Sequence, residues 1–118
     1  MVRAVWADIR RPARGTQAPT AALAVVDPGD TSLPEDAKLP LEPVTHLGRD
    51  PSNHVVLDEP AVSSRHAVIS LNGRHWYLRD LESTNGTWVN RKRLGAQPVR
   101  LQDGDIIQLG RVALRFTT

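Results

Sequence analysis

The sequence predicts an all-β fold in which two antiparallel sheets pack face to face as a β-sandwich. Two observations support this prediction: apolar side chains recur at every second position from Val44 onward, and turn residues divide this part of the chain into short runs. Short strands spaced by about ten residues are typical of sandwiches and barrels, and no long helical pattern competes. Two sheets packed in this way bury one side of each strand and cluster the connecting loops at the two ends.

The individual strands are predicted where apolar and polar residues alternate. The first is the apolar run from Leu23 to Val26, and a later run places Ala67, Ile69 and Leu71 on one face. The predicted runs are 23–26, 55–57, 66–71, 76–79, 87–89, 99–101, 106–109 and 112–116. Those after Val44 are bounded by the turn signals Asn72-Gly73, Asn85-Gly86, Asp103-Gly104 and Gly110.

The first 43 residues differ from the rest, since they hold six of the nine prolines. Residues 1–20 are predicted to be a basic, flexible arm ahead of a domain that spans 21–118. Apolar residues recur at helical spacing over 2–9, among arginines. This short pattern is expected to be either a frayed tail or a juxtamembrane stub. The stub would lie on the cytoplasmic face of a membrane, with the anchor outside this chain. The proline-rich, acidic segment 27–43 is predicted to be a long, poorly packed connection between the first strand and the rest.

The composition excludes several classes of function. The absence of cysteine excludes a disulfide scaffold, a thiol nucleophile and cysteine-ligated zinc, and it suits a reducing cytoplasm. The four histidines lack the spacing of metal ligands, so neither a metal nor another cofactor is expected. The net charge of +2 is too small to indicate nucleic acid binding. Nearly all cations are arginines, which favours anion recognition, although a GC-rich genome would give the same bias.

Polar residues gather at four predicted strand ends. The segments are 48–49, 63–66, 83–87 and 103–105. Taken singly, each has an ordinary structural explanation: Asn85-Gly86 is the preferred dipeptide of a two-residue hairpin, and His66 opens an apolar strand as a hydrogen-bonded structural residue.

Taken together, these segments supply the groups that an anionic peptide needs. Arg49 would provide a guanidinium fork, Ser63 a hydroxyl donor and Arg65 a second cation. A phosphorylated side chain carries about −1.5 to −2 charges and three strong acceptor oxygens, which suits these donors. Asn85 both donates and accepts, so it would pair with a peptide backbone.

At these segments the chain resembles a forkhead-associated (FHA) domain. The family pattern consists of Gly-Arg, Ser-x-x-His, Asp-Leu-x-Ser-x-Asn-Gly-Thr, a following Asn, and Gly-Asp beside Ile-x-Leu-Gly. It appears here, in that order, at residues 48–49, 63–66, 80–87, 90, 104–105 and 107–110. The resemblance covers residues 44–118 and implies an FHA/SMAD-like sandwich of about eleven short strands. It also implies a non-catalytic module, without a cofactor, that binds phosphothreonine peptides through loops at one end.

The resemblance further implies roles for individual residues. The phosphopeptide-binding set is Arg49, Ser63, Ser64, Arg65, Thr84 and Asn85, with Asn85 on the peptide main chain. Structural support of the site is implied for Gly48, His66, Gly86 and Asn90. Two departures from the family pattern are candidates for peptide specificity: Ala61 replaces a residue that is cationic in some relatives, and Arg91 replaces the usual glycine.

The sequence leaves three alternatives open. Ser63 and His66 could pair as nucleophile and base, although there is no Gly-x-Ser-x-Gly elbow. Arg91-Lys92-Arg93 and the arginines of the arm could bind nucleic acid, although aromatic residues for base stacking are scarce. The site could also bind its own arm through phosphorylated Thr16 or Thr20. Otherwise the expected partner is a phosphothreonine protein, such as a Ser/Thr kinase or its substrate.

Overall fold

The computed structural model of the protein describes residues 18–118, which form eleven β-strands in two sheets. The predicted two-sheet β-sandwich of about eleven strands is therefore confirmed. Most of the predicted basic arm, including the amphipathic segment and Thr16, lies outside the described residues. Within residues 18–118, no helix is long and apolar enough to span a membrane.

The sheets contain six and five strands. In chain order the strands are β1 (Ala22–Asp27), β2 (Lys38–Pro40), β3 (Val44–Gly48), β4 (Val55–Val56), β5 (Ala67–Asn72), β6 (His75–Asp80), β7 (Thr87–Val89), β8 (Lys92–Arg93), β9 (Val99–Arg100), β10 (Ile106–Leu109) and β11 (Val112–Thr117). The six-stranded sheet has the order β2-β1-β11-β10-β7-β8, and the five-stranded sheet has the order β4-β3-β5-β6-β9. Strands β3 and β4 pair in parallel, and the other neighbouring strands pair antiparallel.

The core lies between the two sheets and is filled by the apolar side of each strand. In β11, Leu114 and Phe116 are fully buried and Arg115 between them is exposed, as the period of two predicts. The rings of Phe116 and of Trp76 in the opposite sheet pack edge to face, with 6.5 Å between the ring centroids. Full burial of side chains of this size contributes about 1.5–3 kcal/mol each. This shared core keeps the loops at the ends of the two sheets in fixed positions.

The segment 27–43 is better packed than its composition predicts. It contains strand β2, in which Leu39 pairs with Leu23 of β1. Partly buried side chains of this segment pack against the core, namely Leu33, Ala37, Leu39 and Leu41. No residue of 27–43 is fully buried, but strand β2 and these core contacts are not indicated by the sequence, because single apolar residues separated by prolines and charges give no periodic signal. Strand β2 lies at the edge of its sheet, where Pro40 is tolerated.

The dipeptide Asn85-Gly86 is not a hairpin turn. Strand β6 before it belongs to the five-stranded sheet and β7 after it belongs to the six-stranded sheet, so the segment crosses between the sheets. A two-residue hairpin occurs instead at Asn90-Arg91, since Val89 pairs with Lys92. Both turn residues have positive φ, 49° for Asn90 and 69° for Arg91. A type I′ turn has this geometry and favours glycine where Arg91 stands.

Three loops meet at one end of the sandwich. They connect β3 to β4, β4 to β5, and β6 to β7. The strand register brings them together, because Ala67 at the start of β5 pairs both with Leu47 near the end of β3 and with Asp80 at the end of β6. Segments that are distant in sequence therefore share one rim.

Replacing Arg91 with glycine is expected to stabilise the fold. A residue with a side chain at positive φ costs about 1–2 kcal/mol, and glycine costs about 0.5–1 kcal/mol in conformational entropy. We therefore expect Arg91→Gly to raise the free energy of unfolding by about 0.5–1 kcal/mol in urea denaturation. Lys92→Gly removes the same charge from a residue without positive φ and should lower stability. A loss of stability in both variants would show that the turn is not strained.

Candidate functional site

The three loops enclose a groove of about 290 Å³. Its lining residues are Arg49, Pro60, Ala61, Val62, Ser63, Ser64, Thr84 and Asn85. Five of the six residues in the predicted binding set therefore lie together, although they come from loops that are far apart in sequence. Ala61, a candidate for peptide specificity, lines the same groove.

Arg49 follows the last residue of β3 and is held on the groove by two backbone carbonyls. Its own N–H donates to the carbonyl of Ser63 over 2.9 Å, and its Nε donates to the carbonyl of Val62 over 2.9 Å. The terminal nitrogens of the guanidinium make no hydrogen bond or ion pair within residues 18–118. The side chain is thus fixed at its inner nitrogen, while its outer edge remains available to an anion.

The close approach of two loops requires glycine at position 48. A Cβ on Gly48 would collide with the carbonyl oxygen of Ser64 and would lie 2.8 Å from Nδ2 of Asn53. The buried Asn53 amide donates to the carbonyls of Asp50 and Ser64, each over 2.7 Å, and so joins the β3–β4 loop to the β4–β5 loop. Sequence reasoning missed Asn53, whose only signal is its place after an Asp-Pro-Ser turn.

A buried histidine connects the two walls of the groove. Nδ1 of His66 accepts the N–H of Ser63 over 3.0 Å, so Nε2 carries the proton and donates to the carbonyl of Gly86 over 2.8 Å. The hydroxyl oxygen of Ser63 accepts the N–H of Thr84 over 3.0 Å. These three bonds fix the β4–β5 loop against the β6–β7 loop.

The same contacts determine the protonation state of His66. Burial lowers the pKa of His66, and the hydrogen bond to Gly86 and the charge of Asp80 offset this only in part. The neutral ring is therefore favoured. Because both ring nitrogens bond to backbone groups and the Ser63 hydroxyl bonds to Thr84, Ser63 and His66 do not form the nucleophile–base pair considered from the sequence.

Asp80, at the end of β6, organises the β6–β7 loop. Its carboxylate accepts the N–H of Ser83 over 3.1 Å, the hydroxyl of Ser83 and the hydroxyl of Thr87 over 2.6 Å. The Ser83 oxygen accepts the N–H of Gly86 over 3.0 Å. Partial burial raises the pKa of Asp80, but these hydrogen bonds outweigh it and hold the pKa below its ordinary value. Gly86 completes the loop with a φ of 87°, which other residues rarely adopt.

Asn85 and Thr84 form the outer part of this wall. Nδ2 of Asn85 donates to the carbonyl of Ala61 over 2.9 Å, which closes the groove from loop to loop. The Asn85 side chain is exposed, and its amide oxygen makes no hydrogen bond within the described part of the chain. Thr84 is exposed beside it on the same groove. This arrangement presents an amide acceptor and a hydroxyl to a bound chain.

Arg65 does not line the groove. It is exposed and lies close enough to Asp50 for its charge to affect that carboxylate. Hydrogen bonds from the backbone and hydroxyl of Ser52 hold the pKa of Asp50 below its ordinary value, and Arg65 adds to this effect. Arg65 therefore contributes positive charge at the rim rather than a lining contact.

Asn90 and Arg91 also lie away from the groove. They form the turn after β7, at the end of that strand opposite to Gly86. The Asn90 amide donates to Asp105 and accepts the N–H of Ile106, each over 3.0 Å. Asn90 therefore fastens the β7–β8 turn to β10. It does not contact the groove, so any support that it gives to the site is indirect.

Thr20 lies at the end of the sandwich opposite to the groove. It precedes β1, whose Ala22 pairs with Thr117 near the end of β11. Only after the full length of β1 does the chain reach Asp30, whose N–H contacts Glu59 of the β4–β5 loop. The described geometry therefore does not bring Thr20 to the groove of its own domain.

The comparison with protein families agrees with this geometry. The model of the FHA domain matches residues 45–110, which is more than half of the chain. The chain belongs to the FHA domain family.

This FHA domain is similar to several bacterial proteins and to solved structures. It is 41% identical over 75 residues to the oxoglutarate dehydrogenase inhibitor of Corynebacterium glutamicum, a match that covers 64% of this chain and 51% of that protein. The structure of Mycobacterium tuberculosis EmbR in complex with a low affinity phosphopeptide aligns with a TM-score of 0.75 and 34% identity, over 87% of this chain and 25% of that one. A domain from a study of phosphothreonine-dependent FHA interactions aligns with a TM-score of 0.72 and 32% identity, over 85% of this chain and 97% of that one. This chain spans about half the length of the curated relatives it matches.

A buried carboxylate that sequence reasoning missed anchors the β4–β5 loop of this FHA domain. Glu59 is 1% exposed, and its oxygens accept the N–H of Arg111 over 2.8 Å and the N–H of Asp30 over 3.4 Å. A Cβ on Gly110 would lie 2.7 Å from the same carboxylate, so the β10–β11 turn needs glycine there. The loop that carries Ser63 is thereby fastened to two turns of the opposite sheet.

Acid is expected to destabilise the domain through His66. Because the folded pKa of His66 lies below 6.5, the unfolded chain binds the proton more readily. This contribution to stability is complete above pH 6.5 and declines as the pH falls below it, by at most about 1.4 kcal/mol per pH unit. We expect a smaller loss between pH 7.5 and 5 in His66→Asn than in the parent, as measured by urea denaturation.

The exposed histidine His75 supplies the control for this experiment. His75→Asn should keep the acid sensitivity of the parent, since its side chain is exposed. Remaining above pH 5 keeps the measurement away from the range in which Asp80 takes up a proton. Equal losses in the parent and in His66→Asn would exclude His66 as the acid-sensitive group.

Proposed function

We propose that this FHA domain binds phosphothreonine-containing segments of partner proteins in the groove between its three loops. The observation that carries the proposal is the meeting of the Arg49 guanidinium with the Ser63 and Thr84 hydroxyls on one small groove. A phosphate group offers about −1.5 to −2 charges and three acceptor oxygens. It can therefore occupy several of these donors at once. The similarity to a phosphopeptide complex and to a phosphothreonine-dependent domain supports this proposal.

The expected affinity follows from the number of contacts. Each charge-assisted hydrogen bond contributes about 1.5–3 kcal/mol, and three or four of them act against the cost of ordering a peptide. Dissociation constants on the order of micromolar result. Asn85 would hold the peptide main chain through its exposed amide, which fixes the peptide beside the phosphate.

Preference for phosphothreonine over phosphoserine requires an apolar contact for the γ-methyl group. The groove is lined on one side by Pro60 and Ala61, whose carbon atoms supply such a surface. Burial of one methyl group contributes about 0.8 kcal/mol, so the preference should be about fourfold from this contact alone. This wall belongs to the same loop as Ser63, and phosphate and methyl recognition would therefore be coupled.

The proposal makes the domain a reader without catalytic activity. His66, which contacts the backbone of Ser63, has both ring nitrogens bonded to backbone groups. A phosphothreonine ligand requires a Ser/Thr kinase that makes it, so the partner would be such a kinase or one of its substrates. Because kinases consume ATP, the proposal also places the domain in the cytoplasm.

Neither the family match nor the described residues favour the nucleic acid alternative. The basic triplet does not form one patch, since Arg91 occupies a turn while Lys92 and Arg93 lie on opposite faces of a strand. Arg93 lies over the ring of Trp88, with 6.0 Å between its Cζ and the ring centroid. This contact occupies an aromatic face that a nucleic acid base would need for stacking.

Loss of the Arg49 side chain is expected to abolish most of the binding. Arg49→Ala removes the guanidinium fork and should weaken binding of a phosphothreonine peptide by at least about 10- to 100-fold in fluorescence anisotropy. Arg115→Ala removes the same charge from an exposed residue of β11, away from the groove, and should leave the affinity unchanged. Unphosphorylated and phosphoserine peptides complete the comparison, and thermal unfolding verifies that both variants are folded. Unchanged affinity in folded Arg49→Ala would remove Arg49 from the site.

A further inference from the structure

A second groove, of about 420 Å³, lies directly beside the first, and we call it the β8 groove. Its lining residues are Arg79, Asp80, Leu81, Glu82, Arg93, Leu94, Gly95 and Ala96. The β6–β7 loop separates the two grooves, since Thr84 and Asn85 line one and Leu81 and Glu82 line the other. A peptide held at Asn85 therefore needs to cross only this loop to reach the β8 groove.

We propose that the β8 groove is a subsite for an acidic side chain of the bound phosphothreonine peptide, and that Arg93 recognises this side chain. The inference rests on the proposed function, because it assigns the flank of the same peptide. An extended chain advances about 3.3 Å per residue. An acidic residue within about four positions of the phosphothreonine, or about 13 Å, can reach the β8 groove.

The position of Arg93 is fixed by two contacts. Its Cζ lies 6.0 Å from the centroid of the Trp88 ring, in a cation–π arrangement with the neighbouring strand residue. Its Nε lies 2.5 Å from the position that a Cβ on Gly86 would occupy, so the Arg93 side chain packs directly against the Cα of that glycine. Arg93 is therefore held against the residue that follows Asn85.

The charges around Arg93 leave it able to receive a carboxylate. Arg93 forms no ion pair with any residue of 18–118. Of the two acids that line the β8 groove, Asp80 already accepts hydrogen bonds from Ser83 and Thr87. Glu82 is exposed and has a φ of 56°, and its charge opposes a second carboxylate in the groove. Removing that charge should therefore strengthen the preference for an acidic peptide.

The same geometry excludes the other two members of the basic triplet from this role. Arg91 stands in the β7–β8 turn, whose Asn90 is fastened to Ile106 and Asp105 at the far end of β7. Lys92 lies on the opposite face of β8 from Arg93, because successive strand residues alternate. Arg91, one of the two residues that the sequence indicates for peptide specificity, serves as a control with the same charge as Arg93.

The test uses a phosphothreonine peptide with alanine at the four positions on each side, and a set in which one alanine at a time is replaced by aspartate. For the parent domain we expect aspartate at one position to tighten binding by about 3- to 10-fold in fluorescence anisotropy. The measured ratio is the dissociation constant of the all-alanine peptide divided by that of the aspartate peptide. Arg93→Gln should reduce this ratio to about one and should change the affinity for the all-alanine peptide by less than about threefold. Arg91→Gln should keep the ratio, and Glu82→Gln should increase it.

Several results would overturn the subsite. Equal loss of the ratio in Arg93→Gln and Arg91→Gln would mean that only net charge matters. Absence of any aspartate preference in a parent domain that still binds the all-alanine peptide would refute the subsite and leave the proposed function intact. Loss of all phosphopeptide binding in folded Arg93→Gln would make Arg93 a phosphate ligand instead. Failure of the parent to bind any phosphothreonine peptide of the set would refute both proposals.

Discussion

The arrangement of the groove depends on the buried ring of His66. Its two nitrogens join the backbone of Ser63 in the β4–β5 loop to the backbone of Gly86 in the β6–β7 loop, 20 positions after the histidine itself. Each hydrogen bond alone has a modest net stability, about 0.5–1.5 kcal/mol. Their geometric effect is larger, because a planar ring of fixed size sets the spacing between the two walls. The neutral ring is suited to this task, since it presents one acceptor and one donor to one N–H and one carbonyl.

The loops that form the two walls of the groove are also held in place by polar side chains that do not line it and that hydrogen-bond to other parts of the protein. Asn53 fixes the β4–β5 loop to the β3–β4 loop, Glu59 fixes it to turns of the opposite sheet, and Asp80 shapes the β6–β7 loop. These residues satisfy backbone groups that would otherwise be buried without partners. The residues that face the groove also join the loops through their own hydrogen bonds, yet the terminal nitrogens of Arg49 and the amide oxygen of Asn85 keep no partner within residues 18–118. Preorganisation of this kind reduces the ordering cost on binding, because the donors do not have to be assembled around the ligand.

Sequence reasoning predicted eight of the eleven strands and, through the family resemblance, five of the residues that line the groove, and it failed where the outcome depended on long-range contacts. The alternation in β11 follows from the local pattern, whereas the pairing of Ala67 with Leu47 and Asp80 is shown only by the structure. By contrast, Asn85-Gly86 has the composition of a hairpin, and only the assignment of β6 and β7 to different sheets shows that it is a crossing. Glu59 could not be found from sequence, because its partners at positions 30 and 111 are far away along the chain. The leucines around β2 were missed because edge strands between prolines carry no periodic pattern.

The charges at the groove explain why recognition there must depend on contact rather than on a long-range field. Arg49, Arg65, Arg79 and Arg93 lie around the two grooves, but Asp50, Asp80 and Glu82 lie among them, and the whole chain carries a net charge of only +2. Such mixed charges cancel beyond a Debye length, about 8 Å at physiological ionic strength. An anion would therefore gain little attraction until it reaches Arg49 itself, where hydrogen-bond geometry decides the energy. A ligand with three acceptor oxygens and nearly two charges gains more from that geometry than a carboxylate with two oxygens and one charge. The sequence thus favours discrimination by the shape and number of acceptors over simple attraction of any acidic chain.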